Sequence, residues 1–507
     1  MLFSHFNLPS PLLVVFVCVA FYIPLSAQDQ GFSSVRAKVD FGQKLRDWDG
    51  FGVNYVESCQ SLDLEKDPQD YGGFSLLDEQ EKQEIIEMIF SDDGLKVNLL
   101  KMFLDPFHQA TVDGAFDHKS TTKHMRDFAR RGNETSRSFG RELNVITTMY
   151  GPPAWATLQK ETRGRDLDPM KAQELANYMV DWADFLTNDE ALNLRYLSLH
   201  NEGEGWMRWE TDGITHESNN FGHDYNLFWP PEQVVQFLDI LPRELERRGL
   251  GHIGVTPGET YSWDRFYRWG YADAIADDEK ATRNLGLITS HGFLNWGFRR
   301  WNSEHMSNGI DLLREKRPEL HAWVTSTSWG KMDTDFVRQI YGNIYGTKVN
   351  AIIPWALIQR PPLWKGSGDP NPGCSFIVRE DGSYEVQQGY YFYKQVTVPG
   401  QAGMSIVRTS ALDSEIALIG FGNNGTEHPD AFVLINTGPD TRHINIHLSG
   451  TRSKDFKATR SLDAPNRRLN LAVERYSPIG KFETSSDGIL LYEAPGKSVT
   501  TFIGLQD

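Results

Sequence analysis

Short apolar segments rich in β-branched residues alternate with longer segments of helical periodicity over most of the chain. Eight such units in roughly 300 residues are the number that closes a (β/α)8 barrel. No glycine-rich phosphate loop follows the first strand, which disfavours a doubly wound sheet. We therefore predict an α/β fold built on a (β/α)8 TIM barrel. The predicted strands are residues 50–57, 96–105, 143–151, 194–202, 252–260, 285–293, 319–329 and 349–358.

Four segments between these strands carry apolar residues at the three- and four-residue spacing of an amphipathic helix. One of them begins at Pro231, and proline suits a first helical turn because its missing N–H has no helical partner. The predicted helices are DEQEKQEIIEMIF (78–90), AQELANYMVDWADFL (172–186), PEQVVQFLDILPRELERR (231–248) and DFVRQIYGNIYG (335–346).

The sequence pattern changes after about residue 385, where short runs of alternating polarity are separated by turn residues. This pattern is typical of a β-sandwich. The segment VRAKVDFG (35–42) also predicts a strand, and we expect it to join that sandwich. Because no long Pro- or Ser-rich linker divides the two parts, we expect them to pack rigidly. The predicted organisation is a signal peptide (1–27), an N-terminal strand of the sandwich (28–48), the barrel (49–384) and a C-terminal β-sandwich (385–507).

The N-terminus carries an apolar run, LLVVFVCVAFYIPL (12–25), followed by polar residues. This run predicts a signal peptide cleaved near Ala27 and a secreted, periplasmic or extracellular protein, with an uncleaved N-terminal anchor as the alternative. No later stretch is long and apolar enough to span a bilayer. The net charge of −17 argues against nucleic acid and anionic membranes as partners, since both would repel the chain. We expect a monomer.

The chain has three cysteines, of which Cys18 lies in the predicted signal peptide. Cys59 and Cys374 follow the first and eighth predicted strands, which are neighbours in a closed barrel. They are therefore placed either to form a disulfide or to remain two buried free thiols. No cysteine or histidine spacing matches a known metal-ligand pattern, so we predict no metal and no cofactor.

Polar or aromatic residues stand at the C-terminal ends of most predicted barrel strands. In an inert protein such residues would cap loops, but in a barrel enzyme these ends surround the active site. Their recurrence on so many strands favours an active site. They are Glu57, Asp105, Asn201, Glu202, Glu259, His291 and Trp355.

The segment LSLHNEGEGW (197–206) places an Asn-Glu pair at the end of the fourth predicted strand. A glycosidase needs a carboxylic acid that protonates the leaving oxygen, and a neighbouring amide can hold a sugar hydroxyl beside the reacting carbon. We predict that Glu202 is the catalytic acid/base and that Asn201 positions the sugar. Glu204 is the rival acid, and a structural carboxylate is the alternative for Glu202.

The order of motifs along the chain resembles glycoside hydrolase family 30 and related retaining barrel glycosidases. The resemblance covers nearly the whole mature chain, although each motif is short. It implies a barrel with a β-sandwich beside it and a double-displacement hydrolysis of O-glycosidic bonds. The matching motifs are VDFGQKLRDWDGFG (39–52), IFSDDGLKVNLLKM (89–102), GPPAWA (151–156), HNE (200–202) and SHGF (290–293).

The resemblance also implies a nucleophilic Glu at the end of the seventh strand, and here the chain departs from the family. The segment HAWVTSTSWG (321–330) has Ser326 at the matching position. Either the second carboxylate has moved to another strand end, with Glu259 first and Glu57 and Asp105 next, or a group of the substrate attacks instead. Two further alternatives are an engineered variant in which Ser replaces the Glu, and a protein that binds sugars without cutting them. We take Glu259 as the second catalytic carboxylate.

Further residues at the strand ends are predicted to bind the substrate. His291 would donate a hydrogen bond to the sugar or to a catalytic carboxylate. The resemblance implies a basic residue inside the second strand, where Lys101 would pair with such a carboxylate or fill the barrel. Flat aromatic rings suit stacking against sugars, although each is equally ordinary packing material. The predicted substrate-binding residues are Asn201, Trp155, His291, Trp355, Asn54 and Trp206.

Together these features predict a secreted glycoside hydrolase that cleaves a polysaccharide or oligosaccharide, with a carbohydrate as its only partner. The alternative is a non-catalytic carbohydrate-binding protein on a glycosidase barrel that lost its nucleophile. The Ser at position 326 supports the alternative, and the retained Asn-Glu pair supports the enzyme.

Overall fold

A computed structural model of the chain describes residues 34–57, 70–214, 227–293, 305–327, 331–361, 373–464 and 472–505. The predicted signal peptide, Cys59 and residues 215–226 lie outside these ranges. Cys374 is a buried, free thiol. In the part of the chain that the structure describes, no helix is both long and apolar enough to cross a bilayer.

The first described strand, β1 (Val35–Asp47), belongs to a second sheet, and the next eight strands form a barrel. These eight are β2 (Gly50–Asn54), β3 (Leu99–Leu104), β4 (Asn144–Met149), β5 (Asn193–Ser198), β6 (Gly254–Thr256), β7 (Ile288–Ser290), β8 (Ala322–Thr327) and β9 (Ala351–Pro354). They are parallel and run in the order β6-β5-β4-β3-β2-β9-β8-β7. Single bridges from Val255 to Leu285 and from Thr260 to Ser290 close the barrel between β6 and β7. Each predicted strand is confirmed.

Helices follow the barrel strands and cover their outer faces. The first helix is capped by Asp78, whose side chain accepts a hydrogen bond from the Glu81 amide while the Glu81 side chain accepts one from the Asp78 amide. All four predicted helices are confirmed. The helices are α1 (Glu79–Phe90), α2 (Lys123–Ser138), α3 (Ala172–Asp184), α4 (Pro231–Arg247), α5 (Trp263–Arg268), α6 (Tyr271–Asp277), α7 (Glu279–Asn284), α8 (Asn308–Lys316), α9 (Thr334–Gly342) and α10 (Gln388–Thr397). Single π-helical turns extend α3 (Phe185–Asp189) and α9 (Asn343–Thr347), and 3₁₀ turns lie at Ala154–Ala156, Pro169–Lys171 and Trp206–Arg208.

The barrel interior has an apolar layer beneath a polar one. The apolar layer is a buried cluster of Leu99, Ile146, Leu287, Trp323, Ala351 and Ile353. Two residues further along their strands, Lys101 and Thr148 are fully buried and both contact Glu259. The polar layer therefore lies directly under the C-terminal strand ends, where barrel enzymes carry their active sites.

The C-terminal part is the predicted β-sandwich, built from one nine-stranded sheet. Three short strands precede it in the chain and form a separate sheet: β10 (Ile358–Gln359), β11 (Phe376–Val378) and β12 (Tyr384–Val386). The strands of the nine-stranded sheet are β1, β13 (Ser405–Ala411), β14 (Ile416–Gly422), β15 (Ala431–Asn436), β16 (Arg442–Ser449), β17 (Asp455–Asp463), β18 (Ala472–Glu483), β19 (Ile489–Ala494) and β20 (Ser498–Gly504). The strand β1 pairs antiparallel with β13 and parallel with β16. The sandwich thus recruits N-terminal residues, as predicted.

The barrel and the sandwich are joined by buried hydrogen bonds. The Trp48 indole N–H donates to the Gly400 carbonyl at 3.0 Å, and the Tyr393 hydroxyl on α10 donates to the Gly52 carbonyl of β2 at 2.7 Å. The predicted boundary near residue 385 falls just before α10, a helix that contacts both parts. The exact domain limits stay a prediction.

Candidate active site

The ends of β5, β6 and β7 are joined by a short ladder of backbone hydrogen bonds. The Glu202 amide donates to the Glu259 carbonyl at 2.7 Å, and the Glu259 amide donates to the His200 carbonyl at 2.8 Å. The His291 amide donates to the Thr260 carbonyl at 2.9 Å. Because parallel neighbours end at the same edge, this ladder brings Glu202, Glu259 and His291 together from three separate segments.

The imidazole of His291 links the two glutamates. Its Nδ1 lies 2.6 Å from Glu202 Oε1, and its Nε2 lies 3.2 Å from Glu259 Oε2. Burial alone would lower the pKa of His291, but the negative charge of Glu202 and the hydrogen bonds to both carboxyls raise it above its usual value. His291 therefore binds its proton more tightly than a free imidazole does, at its contact with Glu202.

Glu259 has no exposed surface, and both of its oxygens are engaged. The Thr148 hydroxyl donates to Oε1 at 2.6 Å, while the Lys101 ammonium and His291 contact Oε2. Burial would raise the pKa of this carboxyl, but the Lys101 charge and the hydrogen bonds from His291 and Lys101 outweigh it and lower the pKa to about 2. Glu259 is an ionised group that fixes its neighbours.

Glu202 is the more accessible of the two carboxyls, with 10% of its side chain exposed against 0% for Glu259. Its backbone is left-handed, with a φ of +51°. A side chain other than glycine, asparagine or aspartate rarely adopts this conformation, and such strain persists mainly at functional sites. The turn lets the chain leave β5 sharply while the carboxyl stays beside His291.

Asn201 is buried next to Glu202, and its side-chain oxygen has no hydrogen-bond partner in the described structure. A buried acceptor without a donor costs about 1–3 kcal/mol, so such atoms call for an explanation. A ligand hydroxyl or amide that donates to this oxygen would supply one. This agrees with the sugar-positioning role that the sequence predicts.

Glu204, the rival acid, has a different environment. Its Oε1 accepts hydrogen bonds from the Tyr261 amide and from Arg265, each at 2.9 Å. The Arg265 guanidinium also lies over the rings of Tyr261 and Trp269. These contacts tie the loop after β5 to helix α5, which favours a structural role for Glu204.

Ser326 lies at the end of β8, the seventh barrel strand, and is buried. The pairing of β8 with β9 shifts by one residue between Val324 and Thr327, which marks a bulge in β8. Bulges of this kind re-aim side chains beside active sites. The described end of this strand consists of hydroxyl residues, since Thr325 and Thr327 flank Ser326, and the Thr325 hydroxyl donates to the Ser290 carbonyl at 3.3 Å.

The four other predicted substrate-binding residues occupy unlike environments. Asn54 is buried and accepts a hydrogen bond from the Ala356 amide at 2.7 Å, which shapes the turn after Trp355. Trp355 is buried and its ring meets that of Phe103 edge-on. Trp155 is half-buried and donates to the Gln109 carbonyl at 3.1 Å. Trp206 is 57% exposed, which leaves its ring free to meet a ligand. Their binding roles stay predictions.

Three residues beside the site are not among the predicted site residues, although Phe293 belongs to the SHGF motif (290–293). Thr148 holds Glu259, and the only signal is a hydroxyl residue in the otherwise apolar strand NVITTM. Tyr261 and Phe293 follow Glu259 and His291 by two residues each, and their rings lie 5.1 Å apart. The Phe293 ring also meets the His291 ring edge-on at 5.7 Å. This aromatic pair lies beside the imidazole that links the two carboxyls.

Glu57 and Asp105, the lower-ranked candidates for the second carboxylate, belong to another buried cluster. Glu57 accepts the Met125 amide at 2.7 Å at the start of α2. Its burial and the nearby charge of Asp70 raise its pKa to about 8. Burial would raise the pKa of Asp105 too, but the neighbouring His108 lowers it. Among the described residues, no three or more His, Cys, Asp or Glu side chains are grouped as they would be around a metal ion.

Comparison with known protein families and with curated proteins gives no match to the sequence. Solved structures do match the fold. A GH30 endoxylanase from Clostridium papyrosolvens C71 has a TM-score of 0.64 at 14% identity, covering 93% of this chain and 100% of that chain. The catalytic domain of GH30 xylanase C from Talaromyces cellulolyticus has a TM-score of 0.66 at 15% identity, with coverage of 93% and 100%.

The fold is similar to that of family 30 glycoside hydrolases. This confirms the distant resemblance and the predicted barrel with its β-sandwich. A conserved exported protein from Bacteroides fragilis is also similar, with a TM-score of 0.66 at 11% identity over 92% of this chain and 99% of that chain. At such low identities the likeness concerns the fold, and the chemistry has to be argued from the site itself.

Proposed function

We propose that this protein is a glycoside hydrolase in which Glu202 is the proton donor. The observation that carries the proposal is the chain of contacts from Lys101 through Glu259 and His291 to Glu202 at the C-terminal edge of the barrel. It ends on Glu202, whose side chain is 10% exposed. The unpartnered Asn201 oxygen belongs to the preceding residue, and the Phe293 ring lies against His291. This is an arrangement suited to proton transfer onto a bound sugar.

The contacts give each member of the chain a task. The Glu259 carboxylate accepts the Nε2–H of His291, which fixes Nδ1 opposite Glu202. A proton shared at that contact moves to Glu202, and the Glu202 O–H protonates the glycosidic oxygen as the bond to the anomeric carbon breaks. Glu202, now a carboxylate, then takes a proton from the water that adds to the anomeric carbon.

In this proposal Glu259 is a positioning residue and does not attack the sugar. The sequence alone made it the second carboxylate of the displacement, a role that requires an oxygen within reach of the anomeric carbon. Its complete burial and its three partners favour the positioning role. The experiment below distinguishes the two roles.

Ser326 favours a second candidate function, which is carbohydrate binding without hydrolysis. Retaining enzymes of this fold class use a carboxylate to stabilise the oxocarbenium-like transition state, and a serine hydroxyl cannot do so. In that case the orphaned Asn201 oxygen and the exposed Trp206 ring serve sugar recognition alone.

We further propose that the protein is exported and acts as a monomer on a polysaccharide or oligosaccharide. The apolar run before Ala27 supports export. The similar structure of an exported protein is consistent with it. The net charge of −17 supports a partner other than nucleic acid.

The test is product release from a broad glycan panel by the mature chain and by Glu202→Gln, Glu259→Gln and Ser326→Glu, with Glu210→Gln as a control for an exposed carboxyl in the same loop. Hydrolysis by the wild type that is lost in Glu202→Gln and kept in Glu210→Gln supports the enzyme. The reducing-end configuration of the first product, followed by NMR, then distinguishes retention from inversion.

The variants also separate the alternatives. If Glu259 only positions His291, its Gln variant retains measurable turnover with a shifted pH profile, whereas loss as deep as that of Glu202→Gln supports direct attack. Glycan binding without hydrolysis, together with hydrolysis gained in Ser326→Glu, supports the binding protein and overturns the proposed activity.

A further inference from the structure

We infer that the junction between barrel and sandwich holds a second site, which binds an oxyanion group through Arg338. The site is a cleft of about 320 Å³ between helix α9 and the hairpin of β13 and β14. Its lining includes Arg338, Tyr341, Ser410, Asp413 and Ser414. A volume of this size suits one sugar ring or a small inorganic ion. The inference does not depend on the proposed hydrolase.

Arg338 is a cation without a counter-charge. Within the described chain its guanidinium forms no ion pair and no hydrogen bond, and the side chain is half-buried at the wall of the cleft. The group lies over the Tyr341 ring, 4.4 Å from its centre. The ring replaces part of the hydration shell of the guanidinium but supplies no negative charge. A partly desolvated guanidinium of this kind attracts an anion more strongly than a hydrated one.

The neighbouring groups do not neutralise Arg338. The neighbouring His305 is half-buried, and its Nδ1 atom is buried without a hydrogen-bond partner. Its burial and the nearby Arg338 charge lower the pKa of His305 to about 4, so at neutral pH it adds no charge. Asp335, one turn earlier on α9, lies 3.7 Å from Lys497.

Asp413 also lines the cleft, but its charge is committed elsewhere. One of its oxygens accepts the Glu415 amide at 2.8 Å, and the other lies 3.2 Å from Arg442 Nε. The Ser410 and Ser414 hydroxyls are exposed at the rim and free to donate. A guanidinium and two hydroxyls facing one cleft are the donor set that carboxylates, sulfates and phosphates bind.

The overall charge of −17 does not prevent such binding. At physiological ionic strength the field of distant charges is screened beyond about 8 Å, so the local cation decides. The shared chemistry of the ligand is an oxyanion, carried either by an acidic sugar residue of a polysaccharide or by free sulfate or phosphate.

The test is titration of the full-length mature protein by isothermal calorimetry at constant ionic strength. The probes are galacturonate and glucuronate, inorganic sulfate and phosphate, and neutral galactose. The variants are Arg338→Gln, Arg338→Lys and, as a control on an exposed arginine of β13, Arg408→Gln. Circular dichroism and thermal unfolding establish that each variant folds.

We expect at least one oxyanion to bind while galactose does not, with affinity at least tenfold lower in Arg338→Gln, intermediate in Arg338→Lys and unchanged in Arg408→Gln. Binding of the uronates but not the inorganic ions identifies an acidic sugar as the source, and equal binding identifies a general oxyanion site. No binding up to about 50 mM, or binding that survives in Arg338→Gln, overturns the inference.

Discussion

Two clusters of buried carboxyls lie at the same edge of the barrel, and they differ in the charges around them. At strands β5 to β7, Glu259 faces the Lys101 ammonium and its pKa is lowered to about 2. After β2, Glu57 faces Asp70 and the start of helix α2, and its pKa is raised to about 8. Burial is nearly the same in both places, so the neighbouring charge decides whether a carboxyl is ionised at neutral pH.

The clusters differ also in where their contacts end. From Lys101 the contacts pass to Glu202, which is partly exposed. From Asp105 they pass to His108 and then to His118, whose imidazoles lie 2.8 Å apart. His118 lies 3.0 Å from Asp181 on α3, and Asp181 in turn lies 3.0 Å from Arg248 at the end of α4. We expect the network that reaches the open face of the barrel to serve the proposed chemistry, and the one that runs into the helices to hold loops.

The largest expected effect comes from removing the exposed end of the first network. Glu202→Gln keeps the shape of the side chain but removes the transferable proton, so kcat should fall by about 10²–10⁴ with little change in stability. Steady-state rates on a substrate found in the glycan panel, alongside urea unfolding, measure both quantities. A fall of similar depth in Glu210→Gln would show that the effect is not specific to the site.

The next largest effect is expected on removal of Lys101, the cation that the Glu259 cluster has and the Glu57 cluster lacks. Lys101→Met leaves the Glu259 carboxylate buried without its ammonium partner, which should cost about 3–5 kcal/mol in the free energy of unfolding. Lys280→Met, at an exposed position, is the matched control. Urea unfolding at several pH values measures the loss.

The pH dependence of that variant has a definite sign. In the wild type the lowered pKa of Glu259 stabilises the fold above the unfolded value near 4.5, and this stabilisation is lost as pH falls towards 2. In Lys101→Met the carboxyl is driven to stay protonated, so stability should instead fall as pH rises from 5 to 8. A stability that is independent of pH over this interval would contradict the ion pair.

The barrel was predictable because its signal is repeated and local. Eight apolar strands between amphipathic helices leave few alternatives, and each predicted strand lies where the structure has one. Within the sandwich, strands β13 and β18 carry the weakest sequence signal. The second half of β13, from Arg408 to Ala411, is largely polar and partly exposed. The strand β18 lies at the edge of the sheet and is interrupted by Pro478 and Gly480. Edge strands need not alternate cleanly, because neither face is fully covered.

The sequence predicted which residues belong to the site but not how they contact one another. Strand-end position selected Glu202, Glu259 and His291, but their mutual contacts join residues far apart in the chain. Lys101 meets Glu259 across 158 residues, and Thr148 meets it across 111. No local pattern encodes such pairs, so the sequence could propose a carboxylate pair but could not show that an imidazole lies between its members.

The third prediction tests the second cluster. Glu57→Gln removes a carboxyl whose raised pKa favours the fold at low pH and whose contribution is lost as pH rises through about 8. The variant should therefore be more stable than the wild type at pH 9, by up to about 5 kcal/mol, and little more stable at pH 5. Urea unfolding at both pH values measures this, with Glu87→Gln on the exposed face of α1 as control. Equal effects at the two pH values would mean that Glu57 is ionised throughout.

The smallest expected effect concerns the open face beside Glu202. Trp206 is 57% exposed on the 3₁₀ turn four residues after it, and an aromatic ring stacked on a sugar contributes about 1 kcal/mol to binding. Trp206→Ala should therefore raise KM about fivefold and leave kcat nearly unchanged, because the ring holds the substrate equally before and during the reaction. Met170→Ala, at a side chain that is 81% exposed, is the control. A fall in kcat instead would place Trp206 in contact with the reacting sugar, and would extend the catalytic cluster beyond the three strand ends that define it here.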